Sequence, residues 1–175
     1  MTGELKFIFT GTPGVGKTTA IRAVSDTVPV STDVLATDEL AAIKSHTTAA
    51  LDFGELRLEN GDLVRLYGTP GQERFEFMWD ILAEGALGLV VLVDHSRPQA
   101  VQDMCLYLDS FKQLVARTGA VVAVTRHPQP DTAALTDYQD ALEARGLCLP
   151  VLAVDIRQAE DVRLLLDVLM TTAEY

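Results

Sequence analysis

The clearest chemical signal in this sequence is an anion cradle near its beginning. Residues Gly11–Thr18 read Gly-Thr-Pro-Gly-Val-Gly-Lys-Thr, which matches the spacing G-x-x-x-x-G-K-[ST]. Glycines let successive N–H groups turn inward around a polyphosphate, and a helix that begins at Lys17 adds its positive end. The Lys17 ammonium group can contact the β- and γ-phosphates, while the Thr18 hydroxyl ligates Mg²⁺. The pattern therefore predicts a site for a metal-chelated polyphosphate.

The expected phosphate-binding residues are those of this loop and the first helical turn after it. They are Gly11, Thr12, Pro13, Gly14, Val15, Gly16, Lys17, Thr18 and Thr19. An apolar run at 5–9 precedes the loop, and Ile21, Val24 and Val28 follow it at helical spacing. A phosphate-binding loop requires this order of strand, loop and helix. The alternative, a glycine-rich turn with an accidental Lys-Thr pair, does not account for that order.

The remaining patterns predict strands and helices that alternate around one sheet. Strands are expected at 5–10, 53–58, 63–67, 87–93, 120–124 and 149–154, with an Asn60-Gly61 turn joining the second and third. Helices are expected at 17–28, 72–84, 99–117, 132–145 and 159–172. The predicted fold class is α/β: a three-layer α/β/α P-loop NTPase fold with a six-stranded, mostly parallel sheet and one antiparallel edge strand. We expect one domain over residues 1–175.

Composition limits the classes of partner. The net charge of −11 and the pI of about 4.6 make a nucleic acid an improbable partner, because its phosphates would be repelled. No apolar run reaches the roughly 18–20 residues of a membrane span, and neither a signal segment nor a lipidation cysteine is visible, so we expect a cytoplasmic protein without a direct membrane anchor. Cys105 and Cys148 lie in apolar stretches and are predicted to be reduced core residues.

Three strings in this order and spacing resemble a small GTPase of the Ras superfamily. They are the loop at 11–18, Thr47-Thr-Ala-Ala-Leu-Asp-Phe-Gly54, and Gly68-Thr-Pro-Gly-Gln-Glu-Arg-Phe75. The last two look closest to the bacterial Ras-like GTPases of the MglA and conservon type. The resemblance implies a molecular switch in bacterial signalling or polarity that binds GTP and GDP with Mg²⁺ and hydrolyses GTP slowly. It also implies a Roadblock-type activating protein and an effector protein as partners.

The resemblance assigns roles to residues that follow the phosphate loop. Thr48, or the neighbouring Thr47, would ligate Mg²⁺ and contact the γ-phosphate. The Gly71 N–H would meet the γ-phosphate, and Gln72 would orient the attacking water. The implied catalytic residues are Gln72, Lys17 and Thr48, and the implied metal ligands are Thr18 and Thr48. An ordinary loop threonine and the first polar residue of a surface helix are the structural alternatives for Thr48 and Gln72.

Two departures from the family pattern concern the phosphates and the metal. Gly68 stands where the family has an aspartate that holds Mg²⁺ through water, which should weaken the metal site. Asp33, Asp38 or Asp52 could substitute, although a solvated loop charge is the simpler interpretation of each. Pro13 replaces a common glycine and removes one N–H, and we hypothesise that it alters how an activating partner helps hydrolysis.

A third departure concerns the base. Thr125-Arg126-His127-Pro128 stands where the family reads guanine with Asn-Lys-x-Asp, and Pro128 has no side-chain acceptor. The residues expected near the base are Thr125, Arg126, Asp155 and Ile156. Arg126 could stack its stem on the base, Asp155 or Asp131 could replace the missing acceptor, and His127 is interpreted as a loop residue. The alternative function is therefore a nucleotide-binding scaffold with relaxed or lost guanine specificity that acts as an interaction module; a P-loop kinase fits less well.

An aromatic cluster follows the Gly68–Phe75 string. It comprises Phe75, Phe77 and Trp79. Core packing and a partner-binding surface explain such a cluster equally well.

Overall fold

A six-stranded sheet lies at the centre of the fold. The computed structural model describes residues 3–26, 52–70, 76–128 and 135–173. Its strands are β1 (Glu4–Gly11), β2 (Asp52–Arg57), β3 (Leu63–Gly68), β4 (Gly88–Asp94), β5 (Ala120–Thr125) and β6 (Val151–Ala153). Strand β4, rich in Val and Leu, and strand β5, rich in Val and Ala, are buried along their whole length, as expected of central strands covered on both faces.

The strand order explains how the chain assembles its site. The order is β2-β3-β1-β4-β5-β6, with β2 antiparallel to β3 and every other neighbouring pair parallel. The predicted fold class, including the single antiparallel edge strand, is confirmed. Because β1, β3, β4, β5 and β6 run the same way, the segments that follow their carboxyl ends meet at one edge of the sheet.

Helices cover both faces of the sheet. Those in the described residues are α1 (Lys17–Val24), α2 (Glu76–Ala83), α3 (Ala100–Ser110), α4 (Lys112–Thr118), α5 (Thr136–Ala144) and α6 (Ala159–Ala173). Alternate residues of β1 point to opposite faces, so Phe7 and Phe9 pack with α1 and α6, whereas Ile8 packs with the helices α2 to α5. The two cores on either side of the sheet make the three predicted layers.

The predicted helix over 99–117 is wrong in one respect, because it is two helices. Phe111 separates α3 from α4 with φ −106° and ψ 20°, outside the helical region. This turn brings its ring into the core, 3% exposed, where it stacks on Trp79 with ring centroids 5.4 Å apart. Apolar periodicity continues across the break and so conceals it. The last strand is also shorter than predicted, covering Val151–Ala153 rather than 149–154.

The structure also resolves the expectations about individual apolar residues. Cys105 is half-buried and Cys148 is exposed, so the prediction of core cysteines is wrong for Cys148. Trp79 is 2% exposed and belongs to the core, whereas Phe77 is 48% exposed. Phe75 lies outside the described residues. Within the described part of the chain, no helix has the length and apolar character that a membrane span requires.

Candidate functional site

The predicted phosphate loop, residues 11–18 at the junction of β1 and α1, folds back on itself. The Val15 N–H donates to the Thr12 carbonyl at 3.1 Å, which closes a tight turn. The Lys17 ammonium group reaches back across the loop and donates to the carbonyls of Gly11 at 2.8 Å and Thr12 at 3.1 Å. Helix α1 begins at Lys17, so its unpaired N–H groups and positive dipole end face the same space.

The positive charge of Lys17 is buried. It is 7% exposed, and its two described partners are neutral carbonyls. Burial lowers the pKa of Lys17 to about 8, and the nearby negative charge of Asp52 opposes this shift. Among the described residues no carboxylate forms an ion pair with it. A buried ammonium group whose hydrogen-bond acceptors are neutral carbonyls favours the approach of an anion, because it has already lost most of its hydration.

Gly16 fixes how closely the loop approaches the end of β6. Its φ is +115°, a conformation that side-chain-bearing residues rarely adopt. A Cβ atom on Gly16 would lie 2.0 Å from Cδ1 of Ile156. Ile156, one of the residues expected near the base, is therefore packed directly against the phosphate loop.

Thr18, an expected metal ligand, contacts a carboxylate across the fold. Its hydroxyl donates to Oδ2 of Asp52 at 2.6 Å, and both side chains are partly buried. The interpretation of Asp52 as a solvated loop charge is therefore wrong, because Asp52 is the first residue of β2 and hydrogen-bonds to the phosphate loop. Asp33 and Asp38 lie outside the described residues. A hydroxyl and a carboxylate are hard oxygen donors, the kind that Mg²⁺ selects, so this pair fits the metal that a nucleotide would bring.

A cavity of about 670 Å³ opens beside the phosphate loop. Gly14 and Gly16 of the loop line one side of it. The four residues expected near the base all line it as well: Thr125, Arg126, Asp155 and Ile156. Its volume falls within the range of sites for nucleoside-sized ligands. The structure therefore brings three residues of the predicted phosphate-binding set, Gly14, Gly16 and Thr19, beside the four that are predicted near the base.

Arg126 connects the base side of the cavity to the phosphate loop. Its guanidinium group donates to Oδ2 of Asp94 at 2.5 Å and to the Gly14 carbonyl at 3.1 Å. Its φ of +59° is rare for a residue with a side chain, and such backbone strain is concentrated at functional positions. Because the guanidinium group is hydrogen-bonded to Asp94 and Gly14, only the aliphatic part of the Arg126 side chain could stack on a base.

Sequence reasoning missed Asp94, which is 6% exposed at the end of β4. The signal in the sequence was an acidic residue directly after the continuous apolar run at 87–93. Burial alone raises the pKa of Asp94, but hydrogen bonds from Ser96 and Arg126 outweigh it and lower the pKa below its usual value. Asp94 is therefore a carboxylate that positions Arg126.

The acidic residues in the cavity are already hydrogen-bonded within the protein. Asp155 accepts from Arg157 Nε at 2.9 Å and Nη2 at 2.8 Å, and these contacts lower the pKa of Asp155 to about 2. Asp161 accepts from the Asp155 N–H at 2.7 Å. Asp155 was expected as a possible substitute acceptor for a base, but Arg157 occupies both of its carboxylate oxygens. Asp131, the other possible substitute, lies outside the described residues.

His127 lines the same cavity against a second histidine. The centroid of its ring lies 4.1 Å from that of the His95 ring, and His95 Nδ1 is 2.7 Å from the Tyr138 hydroxyl oxygen. Burial lowers the pKa of His95, and the neighbouring His127 lowers it further. The arrangement makes His127 part of the wall of the cavity.

Of the three residues implied in catalysis, only Lys17 lies in the described part of the chain. Thr47, Thr48, Gly71 and Gln72 lie outside the described residues, so their roles stay predictions from the sequence.

Two comparisons with known proteins bear on what the site holds. A family model described as "Conserved hypothetical ATP binding protein" matches residues 30–167. The uncharacterized protein MJ1339 of Methanocaldococcus jannaschii is 31% identical over 100 residues, which is 57% of this chain and 57% of the relative. The chain thus spans little more than half the length of that relative.

The family match contradicts the resemblance to Ras-superfamily GTPases of the MglA and conservon type. The strings behind that resemblance describe how a phosphate is held, and unrelated P-loop families share this requirement. The base-reading segment at 125–128 departs from the GTPase pattern. The Roadblock-type and effector partners rested on the resemblance alone and lose their support with it. Because the match covers residues 30–167 of 175, the chain belongs to the family of conserved hypothetical ATP-binding proteins, a nucleotide-binding family.

Proposed function

We propose that this chain is a Mg²⁺-dependent nucleotide-binding module that holds a nucleoside triphosphate, ATP included, with little selectivity for the base. The observation that carries the proposal is the state of Lys17. Its ammonium group is buried, donates to two loop carbonyls, and has no ion-pair partner among the described residues. A triphosphate supplies the missing negative charge at the point where the helix dipole also favours it.

The loop and the cavity form one site. Gly14 and Gly16 belong to the phosphate loop and also line the 670 Å³ cavity. A nucleotide with its phosphates in the loop would therefore place its nucleoside between the ends of β5 and β6. The family match starts at residue 30, after the loop, so the motif and the family description support nucleotide binding independently.

Weak base selectivity follows from the hydrogen bonding of the cavity acids. Strong discrimination for a base requires a buried polar group that only the correct base satisfies. In the described part of the cavity, Asp155 is engaged by Arg157 and Asp161 by the Asp155 N–H. We therefore expect dissociation constants for ATP and GTP within about tenfold of each other.

We also propose that the bound triphosphate is hydrolysed slowly. Hydrolysis of a phosphoanhydride requires positioning and neutralisation of charge rather than a covalent nucleophile. In this proposal Lys17 and Thr18 neutralise charge on the phosphates, and Gln72 orients the attacking water. Single-turnover phosphate release, compared between the unchanged chain and the Gln72→Ala variant, tests this step separately from binding.

The binding proposal is tested by calorimetric titration of ATP and GTP in the presence of Mg²⁺. The Lys17→Ala variant should bind at least about 100-fold more weakly, because a charge-assisted contact is lost in a desolvated site. Lys112→Ala, which removes an exposed lysine on α4, is the matched control and should bind normally. Absence of binding by the unchanged chain, or equal affinity of the Lys17→Ala variant, would refute the proposal.

A further inference from the structure

The last residue of β3, Gly68, carries no carboxylate, but its partner on the neighbouring strand does. Asp52 is paired with Gly68 across the antiparallel β2–β3 ladder. A Cβ atom on Gly68 would lie 3.0 Å from Cβ of Asp52 and 3.4 Å from its Oδ2. A side chain at position 68 would therefore enter the space beside the Asp52 carboxylate. Side chains at positions 52 and 68 would therefore occupy the same region of the site.

Close packing of β2 on α1 holds Asp52 over the phosphate loop. A Cβ atom on Gly54 would lie 2.0 Å from Oγ of Ser25 and 2.6 Å from Cγ2 of Ile21. Only a glycine allows this approach, and the start of β2 consequently reaches the first turn of α1.

The hydrogen bond between Thr18 and Asp52 has the direction that a metal site needs. A threonine hydroxyl that ligates a cation must direct its proton away from the cation, so that its oxygen lone pairs face the metal. Thr18 directs its proton to Oδ2 of Asp52 at 2.6 Å. Mg²⁺ keeps several of its waters, and carboxylates in the second layer of such sites accept from those waters and orient the direct ligands.

We propose that Asp52, the first residue of β2, is the carboxylate of the Mg²⁺ site. Asp52 orients the Thr18 hydroxyl and supplies negative charge for the nucleotide-bound cation and its waters. This inference rests on the proposed function, since the cation arrives with a nucleoside triphosphate.

The test separates metal-dependent affinity from affinity for the nucleotide itself. Dissociation constants for ATP are measured with Mg²⁺ and with EDTA, and their ratio is compared between the unchanged chain and the Asp52→Asn variant. We expect that ratio to fall at least about tenfold in Asp52→Asn. Affinity in EDTA should be unchanged or higher, because a negative charge near the phosphates is removed. Mn²⁺ titration followed by electron paramagnetic resonance, with ATP present, should show weaker retention of the metal.

Two further variants provide controls. Asp140→Asn removes one exposed carboxylate from α5 and should leave the ratio unchanged. The double variant Asp52→Ala with Gly68→Asp returns the carboxylate to β3 and should recover most of the ratio. Asp52→Ala removes the carboxylate whose Oδ2 would lie 3.4 Å from the added Cβ, whereas Cβ of residue 52 at 3.0 Å and Cδ1 of Ile21 at 3.2 Å remain and must shift by a few tenths of an ångström.

The outcomes distinguish this inference from the function on which it rests. An unchanged ratio in Asp52→Asn, with ATP binding intact, would overturn the metal assignment and leave the nucleotide-binding proposal standing. An equal loss of affinity with Mg²⁺ and with EDTA would also overturn it, because that result indicates a purely structural role. If the unchanged chain binds no nucleotide, both proposals fail together.

Discussion

Gly16→Ala should destabilise the fold through two separable effects. The alanine must keep the backbone of residue 16 at φ +115°. Strain of this kind in a residue with a side chain costs about 1–3 kcal/mol. It must also displace Cδ1 of Ile156, which would lie 2.0 Å away, and overpacking of this kind costs about 1–3 kcal/mol. The sum of about 2–6 kcal/mol is a large part of the stability of a typical domain.

Matched variants can separate the two effects. Gly14→Ala requires a similarly unfavourable φ of +77°, yet its Cβ would meet no atom within 4 Å, so it should show the backbone cost alone. Ile156→Val removes the clashing Cδ1 atom and should itself cost only about 0.5–1.5 kcal/mol. In the Ile156→Val background, Gly16→Ala should therefore cost at least about 1 kcal/mol less than in the unchanged chain.

Urea unfolding followed by circular dichroism gives the free energy of unfolding for all five chains. The reasoning fails if Gly16→Ala and Gly14→Ala are equally destabilising. It also fails if the effects of Gly16→Ala and Ile156→Val are simply additive, because the packing of the loop against Ile156 would then contribute nothing.

Three further predictions concern the core and the cavity. Trp79→Ala should lower the free energy of unfolding by about 3–5 kcal/mol, because the indole packs on Phe111 in the core; a loss below about 1 kcal/mol in urea unfolding would contradict this. Hydrogen bonds hold the pKa of Asp94 below its usual value of 3.8 despite the opposing effect of burial, so its stabilisation is present above that value and is lost as the pH falls through the lower, folded-state pKa. The free energy of unfolding, measured from about pH 6 to about pH 3, should consequently fall less in Asp94→Asn than in the unchanged chain. Equal dependence on pH in the two chains would contradict this prediction. Arg126→Ala should weaken ATP binding about tenfold in calorimetric titration, because the loop loses its tether at the Gly14 carbonyl; normal affinity would show that the tether is dispensable.

Most of the fold could be predicted from local patterns. Continuous apolar runs identified β1, β4 and β5, and alternation on either side of Asn60-Gly61 identified the β2–β3 hairpin. These signals suffice because a strand buried on both faces and a strand buried on one face leave different periodicities in the chain. The order of strands and helices then left few topologies to choose from.

The missed break between α3 and α4 has its cause in a packing partner that is distant in sequence. Phe111 leaves the helical conformation at the point where its ring stacks on Trp79, 32 positions earlier in the chain. Cys148 lies in an apolar stretch but remains exposed. The GTPase resemblance failed for a related reason, because the phosphate-binding strings carry no information about the groups that surround a base.

By itself, the sequence determined the phosphate loop, since a polyphosphate cradle needs glycines, a lysine and a helix start at fixed local spacing. It also determined the sheet, whose strands are marked by their own periodicity. Only the tertiary structure decided that Asp52 meets Thr18 and that Asp94 meets Arg126, pairs separated by 34 and 32 positions. Strand register and loop packing create such contacts, and neither leaves a local trace in the sequence.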